Sequence, residues 1–358
     1  MELALYCPVF GYYEAEGDRI GADGDFYTSI SAGSLFGELL ACQFSEWLGA
    51  GPARLIEAGA HRAELAKDIL VWLRANRPAL FDRLTYIILE PSQRRREWQR
   101  TTLADLETKV EWGDSFEQMI APDVTSEIGS SARSSVELIF SNELLDALPV
   151  HRLGWDARER TWFEWGVTFQ KERFVWQRLP KQSSEAAKLL QASGHGSVLC
   201  GSNPLTEVLP DGFILEVCPA ALMWWRQAAA ALRWGRMVTI DYGLTLEEFL
   251  RPERPQGTLR AYFHQSVSAD LLANPGRQDL TAHVNFSSLR AEGEAAGLKT
   301  ECFVTQAQFL TGIAARTWSG EAGFGEWTSE RKRQFQSLTH PEYLGRAFRV
   351  LVQSREAP

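Results

Sequence analysis

Apolar and polar positions along the chain follow two rhythms. Short apolar runs punctuate the first half: Arg54 to Glu57, Leu84 to Glu90, Lys109 to Trp112 and Val136 to Ser141. Each reads as a buried strand, and the first two close on an acid, Glu57 and Glu90. Between them the apolar spacing is helical. Leu35 to Leu48 shows it, as does Glu64 to Arg74, where Leu65, Ile69, Leu70 and Leu73 share one face, and Ser92 to about Leu106 completes the set. Strand–helix alternation over short connections predicts an α/β fold with a doubly wound, mostly parallel sheet.

The rhythm breaks at His151. From there to Leu179 the residues alternate and are rich in aromatics, with turns near Asp156 to Glu159 and Gln170 to Glu172. That pattern predicts an antiparallel β-insertion. Gln182 to Gly201 is small, polar and glycine-rich and reads as a mobile loop. The α/β pattern returns with a helix over Pro219 to Leu232 and a strand over Met237 to Ile240, which runs into Asp241-Tyr242-Gly243. A helix over Ser287 to Ala296, a strand near Cys302 to Thr305, helices to about Gln336 and a strand over Phe348 to Gln353 complete the reading. The expected organisation is an N-terminal lid or helical segment (1–50), the first half of a core (51–150), a β-rich insertion with its loop (151–212), the second half of the core (213–304) and a closing helical segment with a last strand (305–358).

Composition narrows the function classes. A net charge of −9 argues against a nucleic-acid partner. The run Arg94, Arg95, Arg96 and Arg100 reads as a solvated helix face. Five cysteines, Cys7, Cys42, Cys200, Cys218 and Cys302, lack CxxC spacing, which disfavours a disulfide framework or a zinc site and suits a reducing compartment. No segment has the look of a signal peptide or a bilayer span, so the expectation is a cytoplasmic chain with no membrane partner. The six histidines have no metal-pair spacing, and no metal is predicted. GxSxG, HExxH and Walker A sequences are absent.

Candidate chemistry gathers at strand ends. The run from Val136 to Phe140 stops abruptly at Ser141-Asn142-Glu143-Leu144-Leu145-Asp146, then at Pro149. Polar groups just past the carboxyl end of a buried strand are where open α/β sheets keep ligands. An acidic first turn of a following helix would explain the same letters. Glu57 and Glu90 could each take both hydroxyls of a ribose, because each carboxylate oxygen accepts. Between them, Glu57-Ala58-Gly59-Ala60-His61-Arg62-Ala63 holds one glycine where a nucleotide-binding turn holds two or three, so a plain strand-to-helix turn has equal weight. Asp114 and Ser115, past the third strand, could meet an adenine amino group or cap a helix, and the local pattern favours the cap.

Taken together, the chain resembles the MidA-like family of class I S-adenosylmethionine-dependent methyltransferases, the family of the mitochondrial complex I assembly factor that methylates a protein arginine. The resemblance runs through Ala4-Leu5-Tyr6, Gly11-Tyr12-Tyr13, Ile20-Gly21, Gly24 to Ser29, Phe36-Gly37-Glu38, Asn142 to Pro149, Asp241-Tyr242-Gly243, Gly257 to Tyr262 with His264, Pro275-Gly276, Asp279 to Phe286, and Thr305-Gln306 before Phe309-Leu310. It implies a class I methyltransferase (Rossmann-like) fold with helical additions, S-adenosyl-L-methionine as cofactor and an arginine-bearing protein as substrate. A homodimer is left open.

By resemblance, Glu143 and Asp146 would orient a guanidinium, with Asn142 orienting one of them or meeting the cofactor's amino-acid end. Glu90 would hold the ribose, Asp114 and Ser115 the adenine, and Glu57, Gly59 and His61 the methionine end. Gly24 to Ser29 would be a lid carrying Asp25, Phe26 and Thr28. Arg260, His264, Asp279 and His283 would serve substrate binding or structural ion pairs equally well.

Two departures stand out. The family's loop reads E-x-G-x-G-x-G-x-L-x-x-D. This chain keeps Glu57, Gly59, Leu65 and Asp68 but has His61 and Ala63 at the other two glycine positions. A side chain at His61 is expected to point at the methionine end or to force the loop outward. The family also carries a helical segment before the Ala4-Leu5-Tyr6 stretch, and this chain starts almost at it, so the sequence leaves either one cleft wall missing or a start placed too late. The competing expectation is a non-catalytic assembly or scaffold protein on the same fold, its cofactor lost with its glycines and its aromatic insertion around Trp155 to Trp176 serving as partner surface. A nicotinamide dehydrogenase would share the strand-end acids but explains neither the Asn142 to Pro149 block nor the Gly257 to Tyr262 block.

Overall fold

The structure, a computed structural model, describes residues 1–14, 28–49, 51–120, 136–191, 208–263, 266–318 and 323–357. The chain divides into two compact units. One comprises Ile20–Leu144, Arg226–Asp241 and Gly293–Pro358, the other Met1–Arg19, Leu145–Trp225 and Tyr242–Glu292. In chain order the strands are β1 (Ala53–Ala58), β2 (Leu84–Leu89), β3 (Val110–Gly113), β4 (Val136–Asn142), β5 (His151–Asp156), β6 (Thr161–Gln170), β7 (Arg173–Arg178) and β8 (Ile214–Val217). There follow β9 (Gly235–Leu244), β10 (Arg260–Phe263), β11 (Ser266–Ser268), β12 (Asp279–Thr281), β13 (Val284–Asn285), β14 (Lys299–Thr305) and β15 (Phe348–Arg355).

The first unit is built on a sheet in the order β14-β15-β9-β4-β1-β2-β3. Strands β9, β4, β1, β2 and β3 run parallel, while β14 and β15 pair antiparallel. This is the expected doubly wound, mostly parallel α/β sheet. From β1 the chain steps outward to β2 and β3, then returns to lay β4 on the other side of β1. The order therefore reverses between β1 and β4, the switch point at which such sheets open a crevice beyond their carboxyl ends. The strands read as near-continuous apolar runs because both faces are covered. Leu55, Ile56, Tyr86, Ile88, Leu138, Ile139, Phe140, Met237 and Val238 are all buried.

The helix Glu64–Asn76 covers one of these faces with Leu65, Ile69, Leu70 and Leu73, the face its spacing predicted. The helix Leu35–Trp47 packs against it. Gly37 permits the close approach, since a Cβ there would lie 2.5 Å from Cβ of Asp68. Burial, and the neighbouring Glu38 carboxylate, push the Asp68 carboxyl up to about 6.

The other unit holds two antiparallel sheets, β7-β6-β5-β8 and β11-β10-β12. Trp155 and Trp162, with ring centroids 5.1 Å apart, lie buried in its core with Leu153, Phe213, Leu215 and Phe249. The insertion is thus less exposed than the scaffold reading requires. Its outward apolar residues are Val167, Phe169 and Phe174 on the β6–β7 hairpin, not the tryptophans at Trp155 and Trp162. The expected loop after Gln182 begins instead as a helix, Ser184–Gln191, because Ser183 accepts from the Ala186 N–H with its Oγ at 3.2 Å and so caps it. The rest of that loop reading lies outside the described residues.

Two motif blocks prove to be partners here. β10 pairs with β12 so that Tyr262 faces Asp279 and Ala261 faces Leu280. Thr258 Oγ1 accepts from the His283 N–H at 3.2 Å. Buried Glu216 accepts from the Thr258 N–H at 2.6 Å and its hydroxyl at 3.2 Å. Gly257, at φ +73°, leaves room for that carboxylate where a Cβ would collide with it.

Candidate functional site

The turn after β1 carries three residues in left-handed backbone. Gly59, His61 and Ala63 have φ of +80°, +45° and +64°. Left-handed backbone is routine for glycine and costs other residues about 1–2 kcal/mol. Ala63, fully buried, sits at the N-cap of the helix Glu64–Asn76; its N–H donates to Ala60 O at 2.6 Å and its carbonyl accepts from the Lys67 N–H at 2.9 Å. The His61 ring meets the Trp98 ring edge-on, centroids 6.4 Å apart. Trp98 also carries the guanidinium carbons of Arg62 and Arg94 at 5.1 and 5.6 Å from its centroid. A Cβ on Gly59 would stand 3.0 Å from Leu144 Cδ1, so the β1 loop and the end of β4 lie against each other.

The two strand-end acids differ in surroundings. Glu57 is buried and accepts the Tyr86 hydroxyl at 2.7 Å. Burial pushes its carboxyl up to about 7, against the downward pull of that hydrogen bond. Glu90, also buried, receives several donors. Its Oε1 accepts from the Ser92 N–H and from Arg95 Nε, both at 2.9 Å, and Arg95 Nη2 lies 2.9 Å from the same oxygen. Its Oε2 accepts from Gln99 Nε2 at 3.3 Å. Beyond β3, exposed Asp114 pairs with Arg96 and accepts from Gln118 Nε2 at 2.7 Å, while its own N–H donates to Gln118 Oε1 at 3.0 Å. Ser115 is half-buried beside it.

At the end of β4 the chain turns sharply. Glu143 has φ +51°, and its N–H donates to Ile240 O of β9 at 2.9 Å. The following N–H, of Leu144, donates to buried Asp241 at 3.2 Å. Glu143 is half-buried, and its Oε1 accepts from Asn142 Nδ2 at 3.1 Å and from the Ser29 N–H at 3.3 Å. With its amide nitrogen committed to Glu143, Asn142 leaves Oδ1 as a buried acceptor with no hydrogen bond among the described residues. Ser29, fully buried, donates its hydroxyl to Gln306 Oε1 at 3.1 Å, and Gln306 Nε2 donates to Leu338 O at 3.1 Å. Thr28 is buried and shares a hydrogen bond with Ser31 at 3.0 Å.

The sequence candidates in this unit, Thr28, Glu57, Gly59, His61, Glu90, Asp114, Ser115, Asn142 and Glu143, thus fall on the loop before the helix Leu35–Trp47 and on the carboxyl ends of β1 to β4. The other unit holds Asp146, Arg260 and His283. Asp146 and Asp279 are buried there, and the Tyr13 hydroxyl donates to Asp279 Oδ1 at 2.9 Å. Burial, then the Asp279 and Asp146 carboxylates, hold Tyr13 well above the usual phenol range. Arg260 donates to Leu259 O at 2.9 Å. Burial, with the Arg260 and Arg254 guanidinium groups, lowers His283 to about 4. Asp25, Phe26 and His264 lie outside the described residues. Sequence reasoning did not single out Ser29, Tyr86, Arg95, Gln99 or Gln306 as site residues. Ser29 and Gln306 did fall inside resemblance blocks, but nothing local links positions so far apart.

No described helix is long and apolar enough to cross a membrane, and no described cluster of His, Cys, Asp and Glu could hold a metal ion.

Comparison with known proteins supplies the remaining context. A family model described as S-adenosyl-L-methionine-dependent methyltransferase matches residues 39–304. The chain is 28% identical over 374 residues to the mitochondrial protein arginine methyltransferase NDUFAF7 of Mus musculus, covering 97% of this chain and 78% of that protein. It is 29% identical to the Homo sapiens counterpart, covering 83% and 66%. A methyltransferase-superfamily protein from Burkholderia thailandensis, crystallised with S-adenosyl-homocysteine, superposes with a TM-score of 0.77 at 27% identity, covering 99% of this chain and 86% of that one. The expectation of a cytoplasmic chain is overturned here: these curated relatives are named as mitochondrial proteins. Scattered cysteines without CxxC spacing look the same in any reducing compartment, so the sequence had no means of telling the two apart.

Proposed function

We propose that this chain, which belongs to the family of S-adenosyl-L-methionine-dependent methyltransferases, methylates an arginine nitrogen of a protein. The observation that carries the reading is Glu143: a non-glycine residue in left-handed backbone at the mouth of β4, one oxygen held by Asn142 and by the Ser29 N–H. Strained backbone at a ligand crevice marks a side chain whose aim matters. The relatives named as protein arginine methyltransferases support the acceptor.

The residues fit the cofactor of the family. The left-handed turn at Gly59, His61 and Ala63 supports a cofactor loop there, and Asn142 Oδ1 is a buried acceptor that an α-ammonium group would satisfy. Glu90 would hold the ribose hydroxyls, Asp114 and Ser115 the adenine, and the stretch from Glu57 to His61 the methionine end. S-adenosylmethionine supplies an electrophilic methyl carbon on a sulfonium leaving group.

The chain's own task is then to prepare the nucleophile. An arginine guanidinium is protonated at any working pH, and its charge is spread over three nitrogens. Glu143 accepts N–H groups from it, draws positive charge toward the nitrogens it binds and fixes the plane of the group. The attacking nitrogen is left richer in electron density, and the proton it sheds after alkylation passes to a carboxylate. Asp146, three positions on, is the second carboxylate candidate. The positioning of the two reactants accounts for most of the acceleration.

The test is a methyl-transfer assay with labelled S-adenosylmethionine and a protein extract, read as methylarginine by mass spectrometry. Glu143→Ala should keep cofactor binding by calorimetry and lose the product. Normal turnover in that variant would sink the assignment. The scaffold reading draws on Arg95, which lies on Glu90 Oε1, and on His61 in the loop. It requires calorimetric silence from the wild type, with binding restored by His61→Gly combined with Ala63→Gly.

A further inference from the structure

Gln99 joins three strand ends. It is fully buried on the helix Gln93–Thr102 and uses both ends of its amide. Nε2 donates to His61 O in the β1 loop at 3.0 Å and to Glu90 Oε2, past β2, at 3.3 Å. Oε1 accepts from Trp112 Nε1 on β3 at 2.8 Å. Nothing in the apolar spacing of this helix asks for a glutamine, and burying a long amide is unfavourable unless each polar atom is matched. Here each is matched, and each partner belongs to a different strand end.

The donors on Glu90 define what remains for a ligand. Oε1 takes Ser92 and Arg95, which use its acceptor directions. Oε2 takes Gln99 and keeps a second direction. The Trp112 indole N–H fixes which end of the Gln99 amide is the donor, and that donor fixes Glu90 Oε2. We propose that Gln99 is a positioning residue that aims Glu90 Oε2 at a ribose hydroxyl and ties that aim to the carbonyl of His61, so that preference for a ribose-bearing cofactor depends on Gln99. This rests on the reading of Glu90 as the ribose acceptor.

The probes are S-adenosylhomocysteine and its 2′,3′-dideoxy analogue, titrated calorimetrically into the full chain. The wild type should prefer the hydroxylated ligand by about tenfold or more, the scale of a hydrogen bond to a charged group. Gln99→Met, similar in length and without an amide, should bring that ratio below about threefold while moving the dideoxy affinity little. A merely structural glutamine would weaken both ligands alike and leave the ratio intact, and that result would overturn the proposal. Equal binding of the two ligands by the wild type, or binding of neither, would remove the ribose role of Glu90 itself and the proposal with it. Should Gln99→Met not fold, Trp112→Phe releases the orientation of the amide and should lower the ratio several-fold, and an unchanged ratio there overturns the proposal.

Discussion

Ser29 and Glu143, 114 positions apart in the chain, meet through one hydrogen bond, from the Ser29 N–H to Glu143 Oε1 at 3.3 Å. The bond is only as firm as Ser29, and Ser29 is held by Gln306. Gln306→Leu would leave the Ser29 hydroxyl and the Leu338 carbonyl unpaired in the core. Two such losses together cost about 2–4 kcal/mol. Urea unfolding should show a lower midpoint with an unchanged slope. A stability within error of the wild type would mean that water or a neighbour replaces the amide.

Asn142→Leu removes a second donor to the same Glu143 oxygen. The carboxylate then loses its fixed aim, and methyl transfer should fall by roughly 10- to 100-fold. Steady-state rates at saturating cofactor separate this loss from any weakening of cofactor binding.

How much of this was legible beforehand follows the range of the forces involved. The strands that close near Glu57, Glu90 and Asn142 were readable because a doubly buried parallel strand must be an unbroken apolar run, and the polar residue near its end announces its mouth. The antiparallel insertion was readable from alternation alone. What local pattern cannot carry is the pairing of remote polar groups. Gln99 looks like one more polar residue in a basic helix, and Tyr86 looks like strand filler until Glu57 is found beneath its hydroxyl. Glycine counting likewise says nothing of the backbone that His61 and Ala63 adopt, which glycine only makes easy.

Ala63→Val probes that backbone directly. A β-branched residue at φ +64° is a steric outlier, and the site is fully buried. Strain and overpacking together should cost about 3 kcal/mol or more. Thermal unfolding should report it, and cofactor affinity should drop with it. A variant as stable as the wild type would show that the loop backbone can relax.

The raised Glu57 carboxyl gives a pH signature. Its ordinary value is 4.5 and its folded value about 7, so the folded chain keeps a proton that the unfolded chain gives up. Stability from this group is intact at low pH and falls as pH rises through that window, by on the order of 3 kcal/mol once fully ionised. Glu57→Gln keeps an acceptor for Tyr86 and carries no charge. It should exceed the wild type in melting temperature near about pH 8 and converge with it near about pH 4. Asp68, raised to about 6, and His283, lowered to about 4, titrate in both proteins and cancel in the difference. A difference that is constant with pH would show that Glu57 ionises normally.

The loop after β1 has a meaning for kinship. What three left-handed residues set between β1 and the helix Glu64–Asn76 is a sequence of dihedral signs, positive at Gly59, His61 and Ala63. Glycine is the cheapest letter for such a sign, and it is not the only one. A lineage can therefore drift away from a glycine fingerprint one letter at a time while its backbone grammar stays fixed, and distant members of such a lineage are better sought by torsion than by alphabet.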